Sequence, residues 1–234
     1  MRTKGTLAVA AIVSILATGC LKTVENSKQD PLSLVYLMHV APKAPAVETY
    51  FDGTKVSDGI APGAISVSYS AVASGIFGVS FKKAGADSLV AEVPTLSYDS
   101  AKAYTLILYN DADGKGKAVR VSDDFSNITY DKAYYRFFQM VPNLDKVDLY
   151  IDGTAYDQMR LPADNVNNNF FNQFSPIGYG YHTIQIKLTG TETLIAQAID
   201  VRMDQGNAYT IVLKGLAGQS GAYAPSIAVA KAVY

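Results

Sequence analysis

The sequence predicts an all-β protein made of two tandem immunoglobulin-like antiparallel β-sandwich domains. Two passages far apart in the chain are nearly the same, VETYFDG at 47–53 and VDLYIDG at 147–153. Apolar residues in runs such as GIFGVSFK and YHTIQIKL alternate with a period of two, which is typical of strands with one buried face. Gly, Pro, Asn and Asp separate these short runs, and no amphipathic helical pattern is present.

An internal repeat organises the chain. VYLMHVAPKAPAVETYFDGT at 35–54 aligns without a gap on 135–154, an offset of 100 residues. Further on the offset is 105, so that 69–82 matches 174–187, 89–96 matches 194–201, and 103–108 matches 208–213. The second copy therefore carries five extra residues, 105 minus 100, between Thr154 and Phe174.

The repeat sets the domain boundaries. We predict one β-sandwich repeat over 33–125 and a second over 131–234. Each is about 100 residues long, a common domain size. Six or seven strand-like runs lie in each copy. Strands of this number and spacing favour an immunoglobulin-like sandwich.

The beginning of the chain predicts export and lipidation. Residues 1–19 have a basic start and a short apolar run, the layout of a secretory signal peptide. The apolar run is shorter than the roughly 20 residues that span a bilayer, so we expect no transmembrane helix in the mature protein. Ala-Thr-Gly-Cys at 17–20 resembles a bacterial lipobox, which implies fatty acyl chains such as palmitate on Cys20. The alternative is an unmodified cysteine in an ordinary signal peptide.

The lipid anchor predicts the localisation. Several acyl chains attach a protein durably to a membrane, and the polar segment 20–32 reads as a tether. We therefore expect an outer-membrane lipoprotein of the cell envelope, facing either the periplasm or the cell surface. Cys20 is the only cysteine, so no intramolecular disulfide can form.

The charge balance argues against nucleic acid as a partner. Without residues 1–19, which hold two cations and no acids, 18 of the 20 basic residues face 21 acidic ones. No basic cluster of the kind that binds phosphate backbones is present.

The candidate catalytic and metal motifs are weak. The two histidines, His39 and His182, lack a nearby nucleophile motif or a second histidine at metal spacing. NDADGKGK at 110–117 resembles a calcium loop, but Lys115 and Ser122 occupy positions that such a loop gives to oxygen ligands. We therefore predict no metal, no cofactor and no catalytic residue.

The repeated phrase itself predicts a turn. Glu48 and Asp52 face the same side of a strand, but residues four apart on a strand lie about 13 Å apart. Glycosidase carboxylate pairs require roughly 5–9.5 Å. Asp-Gly is a strong hairpin signal because both central residues take positive φ. We interpret the phrase as a strand followed by a structural turn.

Two further sets of residues are candidate sites. Tyr134, Arg136, Phe170 and Phe171 would form a ligand or partner patch if they share an exposed face, since such surfaces stack on sugar rings or dock proteins. The alternative is that they pack the core and the seam between the modules. Ser88 and Ser100 lie in short Asp-Ser-apolar patterns typical of O-glycosylation, and we expect them at the surface.

A family resemblance accompanies these patterns. HVAPKAPAVETYFDG at 39–53, followed by a Tyr-centred strand, a Gly-led strand and AYTLIL at 103–108, resembles the bacterial domain of unknown function 4397 family. The second copy is looser, with Gln139 where the family prefers His. The resemblance implies a β-sandwich and a tandem-repeat lipoprotein of Bacteroidota type. It implies no chemistry.

The sequence thus favours a non-catalytic, lipid-anchored envelope protein with a binding, adhesive or structural role. Its expected partners are the membrane, through the anchor, and a glycan or another envelope protein. The alternative is a polysaccharide-acting hydrolase with a site between the modules, or the accessory glycan-binding subunit of such an enzyme. An enzyme should show a pocket in which titratable groups converge within about 10 Å.

Overall fold

The computed structural model describes residues 31–232, which fold into two modules of eight strands each. The strands of the first module are β1 Leu32–His39, β2 Val47–Phe51, β3 Thr54–Lys55, β4 Ser70–Ala73, β5 Gly75–Lys83, β6 Leu89–Tyr98, β7 Ala103–Asn110 and β8 Gly116–Asp123. Those of the second are β9 Ala133–Gln139, β10 Val147–Ile151, β11 Thr154–Arg160, β12 Ser175–Ile177, β13 Gly180–Leu188, β14 Leu194–Met203, β15 Ala208–Lys214 and β16 Ser226–Ala232.

Helical structure is limited to short segments. In the second module α1 (Asp164–Asn167) and a 3₁₀ turn (Asn169–Asn172) occupy the region of the five extra residues. A further 3₁₀ turn covers Gly221–Tyr223. Each module has eight strands instead of the expected six or seven. The sequence did not reveal all of them because an edge strand such as β3, with two residues, is too short to show an alternating pattern.

Each module is a sandwich of two four-stranded sheets. The first has the strand orders β4-β1-β7-β8 and β3-β2-β5-β6, and the second repeats them as β12-β9-β15-β16 and β11-β10-β13-β14. One pair in each module is parallel, β1 with β7 and β9 with β15, and the other pairs are antiparallel. The prediction of two β-sandwich domains is confirmed. The strand order differs from that of an immunoglobulin constant domain, so the likeness lies in the two-layer architecture.

Each module also has a tyrosine corner, a feature of immunoglobulin-like sandwiches. The backbone N–H of Asp99 donates to the Tyr104 hydroxyl at 3.0 Å, five residues on. In the second module the N–H of Asp204 donates to the Tyr209 hydroxyl at 2.8 Å. These bonds fix the turn before β7 and the equivalent turn before β15.

The modules pack face to face through one sheet of each. Tyr36, Met38 and Ile107 of the first module form a buried cluster with Phe138, Met140 and Val212 of the second. Alternate residues of the same strands, such as Leu106 and Ile211, point into the separate core of each module. Strands β7 and β9 are therefore buried on both faces, which explains why AYTLIL and AYYRFF read as nearly continuous apolar runs.

The two modules lie side by side in the same direction. At one end, which we call the entry end, the chain enters each module. There the first strand of each module, β1 or β9, begins beside the turn that precedes the strand parallel to it, β7 or β15. There Leu34 N–H donates to Lys102 O, and Tyr134 N–H donates to Asn207 O, both at 2.9 Å. At the opposite end Val40 and Lys214 line a small cavity between the modules.

The predicted signal peptide, Cys20 and most of the predicted tether lie outside the described residues. Among residues 31–232, no helix has the length and apolar character needed to cross a membrane.

Candidate functional site

The repeated Asp-Gly phrase forms a hairpin turn in both modules, as predicted. Asp52 and Gly53 have φ of 42° and 82°, and Asp152 and Gly153 have φ of 51° and 79°. The Asp52 carboxylate accepts from the Gly78 N–H at 2.8 Å, and the Asp152 carboxylate accepts from the Thr183 N–H at the same distance. The acid of the phrase therefore ties the turn to the neighbouring strand.

His182 meets a carboxylate, but both of its ring nitrogens are already occupied. Nδ1 lies 2.6 Å from Asp152 Oδ2, and Nε2 lies 2.9 Å from Gly178 O. Partial burial opposes ionisation of Asp152, yet the hydrogen bonds from Thr183 and His182 outweigh it and lower the pKa of this carboxyl. Because the imidazole is buried and has no free nitrogen, its role in this geometry is to brace the turn.

His39 also has a structural role, and Gln139 performs the same role in the second module. His39 Nε2 lies 2.9 Å from Pro45 O, while Nδ1 accepts from the Ala41 N–H at 3.4 Å. Gln139 Oε1 accepts from the Val141 N–H at 2.6 Å, and Nε2 donates to Val141 O at 3.3 Å. Each side chain holds the loop after the first strand of its module.

The predicted patch of Tyr134, Arg136, Phe170 and Phe171 does not share an exposed face. Tyr134 and Arg136 are only 5% and 2% exposed, because β9 is enclosed between its own core and the other module. Arg136 Nη1 donates to Asp123 Oδ1 at 2.6 Å across the seam, and Nε donates to Thr210 Oγ1 at 2.9 Å. For these two residues the exposed-patch hypothesis is wrong, and the alternative of a packed seam is correct.

The phenylalanines belong to the insert of the second module. Phe170 is 69% exposed, while the Phe171 ring lies 3.9 Å from the Arg160 guanidinium. Arg160 is buried and donates twice to Asp164, both at 2.8 Å, and once to Asp157 at 3.1 Å. A further bond runs to Phe137 O at 2.9 Å. Arg160 therefore anchors the insert, with four of the five N–H donors of its guanidinium bonded to the protein beside a cavity of 50 Å³.

A larger candidate site opens at the entry end of the second module. We call it the tyrosine groove, and it has a volume of about 510 Å³. Its lining consists of Tyr179, Gly180, Tyr181, Arg202, Met203, Asp204 and Gln205. Tyr179 and Tyr181 are 59% and 67% exposed, so their rings present apolar area to solvent.

Three ion-paired side chains form the polar side of the groove. Arg202 Nε donates to Asp204 Oδ1 at 2.7 Å, and Lys231 Nζ donates to Asp204 Oδ2 at 3.0 Å. The bond to Asp204, together with a weaker one to Tyr181, raises the pKa of Arg202. The bonds from Lys231 and then Arg202 lower the pKa of Asp204. Two cations, Arg202 and Lys231, therefore share the one carboxylate of Asp204.

The first module lacks this groove chemistry at the equivalent positions. With the offset of 105, Tyr179 and Tyr181 correspond to Ser74 and Ile76, and Arg202 corresponds to Ser97. Ser74 instead shares a 2.8 Å hydrogen bond with Ser33. The fold of the module therefore does not require the two tyrosines.

Sequence reasoning overlooked the groove. The signal was present in the repeat alignment, where Tyr-Gly-Tyr at 179–181 stands opposite Ser-Gly-Ile at 74–76. The two additional aromatic residues at this end of the second copy would have identified the groove.

The remaining predicted sites have the following positions. Ser88 and Ser100 are exposed, as glycosylation would require, and their modification stays a prediction. Across residues 31–232, no three His, Cys, Asp or Glu side chains are grouped so as to hold a metal ion.

A model of a protein family matches part of this chain. The family model described as domain of unknown function (DUF4397) matches residues 33–150, which is half of the chain. The matched region contains nearly all of the first module, strand β9 and most of strand β10. A search of curated proteins finds no match to this sequence.

Proposed function

This chain belongs to the DUF4397 family, and on that premise we propose that it is a non-catalytic, lipid-anchored binding protein of the bacterial cell envelope. The tyrosine groove is the proposed binding surface. The tandem modules and Cys20, as the proposed anchor, support an outer-membrane lipoprotein of Bacteroidota type.

The observation that carries the binding role is the exposure of Tyr179 and Tyr181. Large exposed aromatic rings contribute much of the energy of recognition surfaces, and tyrosine is enriched there because it combines an apolar ring with a polar tip. The homologous module in the same chain folds with Ser74 and Ile76 at these positions. Stability of the fold therefore does not account for the tyrosines, whereas a ligand does.

The second support is the rigid junction between the modules. Tyr36, Met38, Phe138 and Met140 pack in one buried cluster across the seam, and the Arg136–Asp123 pair spans it. A packed seam keeps the groove in a constant position relative to the chain entry at Pro31. Residues 20–32, fully extended at about 3.3 Å each, reach roughly 40 Å. The groove would thus be held close to the membrane.

The anchor is tested by a Cys20→Ser variant expressed in a bacterium that processes lipoproteins. We expect the parent to incorporate labelled palmitate and to enter the detergent phase on Triton X-114 partition, and the variant to do neither. Ser27→Ala in the tether is the matched control and should behave as the parent does. Membrane partition of Cys20→Ser equal to that of the parent would refute the anchor.

The exposed leaflet is tested by protease shaving of intact cells. Digestion of the protein on whole cells assigns it to the surface, whereas digestion only after lysis assigns it to the periplasmic face. Neither result alters the proposed binding role, which depends on the groove.

A further inference from the structure

We infer that the tyrosine groove binds a neutral polysaccharide chain. The inference rests on the proposed binding role and names the ligand class of that groove.

The groove combines two exposed aromatic rings with polar groups. A sugar ring has an apolar face of C–H groups and a rim of hydroxyls, so its site needs an aromatic surface beside donors and acceptors. Tyr179 and Tyr181 supply the aromatic surface, and Arg202, Asp204 and Gln205 stand along the same groove. Sites of this kind, mostly apolar with a few placed polar groups, are the usual form of small-molecule pockets.

The charged side chains at the groove are bonded to one another. Arg202 Nε donates to Asp204 Oδ1 at 2.7 Å and Lys231 Nζ donates to Asp204 Oδ2 at 3.0 Å, so both cations are already bonded to the one carboxylate of the site. An anionic ligand would need a cation that no carboxylate already binds, as in the Arg clusters that normally bind such ligands. The paired lining instead suits hydroxyl groups, which both donate and accept hydrogen bonds.

The size and position of the groove also suit a polysaccharide chain. Its volume of about 510 Å³ falls within the roughly 300–1,000 Å³ of known ligand pockets. It lies at the end of β13 and β14, where Gly180 begins one strand and Met203 ends the other. An open groove at a sheet end admits an internal stretch of a chain, whereas a closed pocket admits only a terminal unit.

The experiment is native affinity electrophoresis of the mature protein in mild detergent. The gels contain α-glucan, mixed-linkage β-glucan, xylan or mannan as neutral probes and polygalacturonate as the acidic comparison. We expect at least one neutral polysaccharide to retard the parent, and polygalacturonate to have no effect.

The variant carries Tyr179→Ser together with Tyr181→Ile, the residues that the first module uses at these positions. It should keep the circular dichroism spectrum and melting temperature of the parent and lose about tenfold or more in affinity for the polysaccharide. Tyr223→Ser removes another exposed tyrosine, one that lies away from the groove at the opposite end of the molecule, and should bind as the parent does.

Several outcomes would overturn the inference. They are the absence of retardation by every neutral probe, retardation by polygalacturonate alone, and unchanged binding by the double variant. If the parent binds phosphatidylethanolamine vesicles but no polysaccharide, and the double variant loses the vesicle binding, the occupant of the groove is a lipid surface. Capture of an envelope protein through the groove, again without polysaccharide binding, would overturn this inference and leave the proposed binding role intact.

Discussion

The two modules of this chain share one fold but differ at the seam between them. Thr105 and Thr210 face each other from equivalent strands. Beside them, the first module places Tyr36 where the second has Arg136, and Asp123 where the second has Ala232. Each module thus brings half of one ion pair. Repeated positions build the sandwich, and the positions that differ join the modules or form a site.

The largest effect is expected from breaking the seam pair with Arg136→Met. The Arg136 and Asp123 side chains are 1% and 0% exposed and lie 2.6 Å apart. Removal of one partner leaves a buried, uncompensated charge, so we expect a loss of about 3–5 kcal/mol in the free energy of unfolding. Urea denaturation followed by circular dichroism measures it.

The matched control for this prediction is Tyr36→Phe at the equivalent position of the first module. It removes one hydrogen bond, from the Tyr36 hydroxyl to Ser66 O, and should cost about 1 kcal/mol. A similar loss for both variants would contradict the view that the ion pair dominates the polar part of the seam.

The second effect concerns the insert, where the modules differ most in length. Arg160→Ile introduces the residue that the first module has at the equivalent position, Ile60. Ile60 forms a β-bridge with Val47, as Arg160 does with Val147. Asp157 and Asp164 lose their shared partner, but both are partly solvated. We therefore expect about 2–3 kcal/mol of destabilisation, somewhat below the usual cost for a fully buried pair.

Limited proteolysis distinguishes this local role from a general loss of stability. In Arg160→Ile the first cleavage should fall within 161–174, whereas the exposed Arg202→Ile should change neither the cleavage pattern nor the stability by more than about 0.5 kcal/mol. First cleavage in another loop would show that Arg160 does not hold the insert.

The third effect compares the two Asp-Gly turns. Asp152→Ala and Asp52→Ala place alanine at the same positive φ and remove the same bond to a backbone N–H. Only Asp152→Ala also leaves the buried His182 without its carboxylate partner. We expect losses of about 2 kcal/mol for Asp152→Ala and about 1 kcal/mol for Asp52→Ala, from chemical denaturation.

The background His182→Phe tests the cause of this difference, since Phe77 is the equivalent residue in the first module. In that background Asp152→Ala should cost no more than Asp52→Ala does in the parent. A difference that persists would mean that His182 is not its source.

Local patterns predicted the sandwich and the turns well, whereas the seam and the groove depend on packing. Alternation and Asp-Gly are properties of neighbouring residues, so they were visible in the sequence. Arg136 looked accessible because an arginine in a strand normally points to solvent, and it is packing against Asp123 of the first module that buries it. Tyr179 lies just outside β13, and its exposure depends on the shape of the sheet end. Packing of this kind leaves no periodic signal.

The smallest expected effect is a pH dependence of stability, which His39 gives to the first module. Burial lowers the pKa of His39 below its ordinary value of 6.5. Below that value the unfolded chain binds a proton that the folded chain does not, so stability should fall as pH decreases from about 6.5 toward the lowered pKa. The slope from one such group is at most about 1.4 kcal/mol per pH unit.

His39→Gln should remove this dependence and leave stability at pH 8 nearly unchanged, because Gln139 accepts from the Val141 N–H as His39 accepts from the Ala41 N–H and also donates to its own loop. Urea denaturation of the parent and the variant between pH 4.5 and 8 isolates the contribution of His39 as the difference between two curves. Parallel curves would show that burial of this imidazole does not affect the pH response. If the curves diverge only below about pH 6.5, His39 and Gln139 make the same kind of loop contact in the two modules, and only His39 titrates.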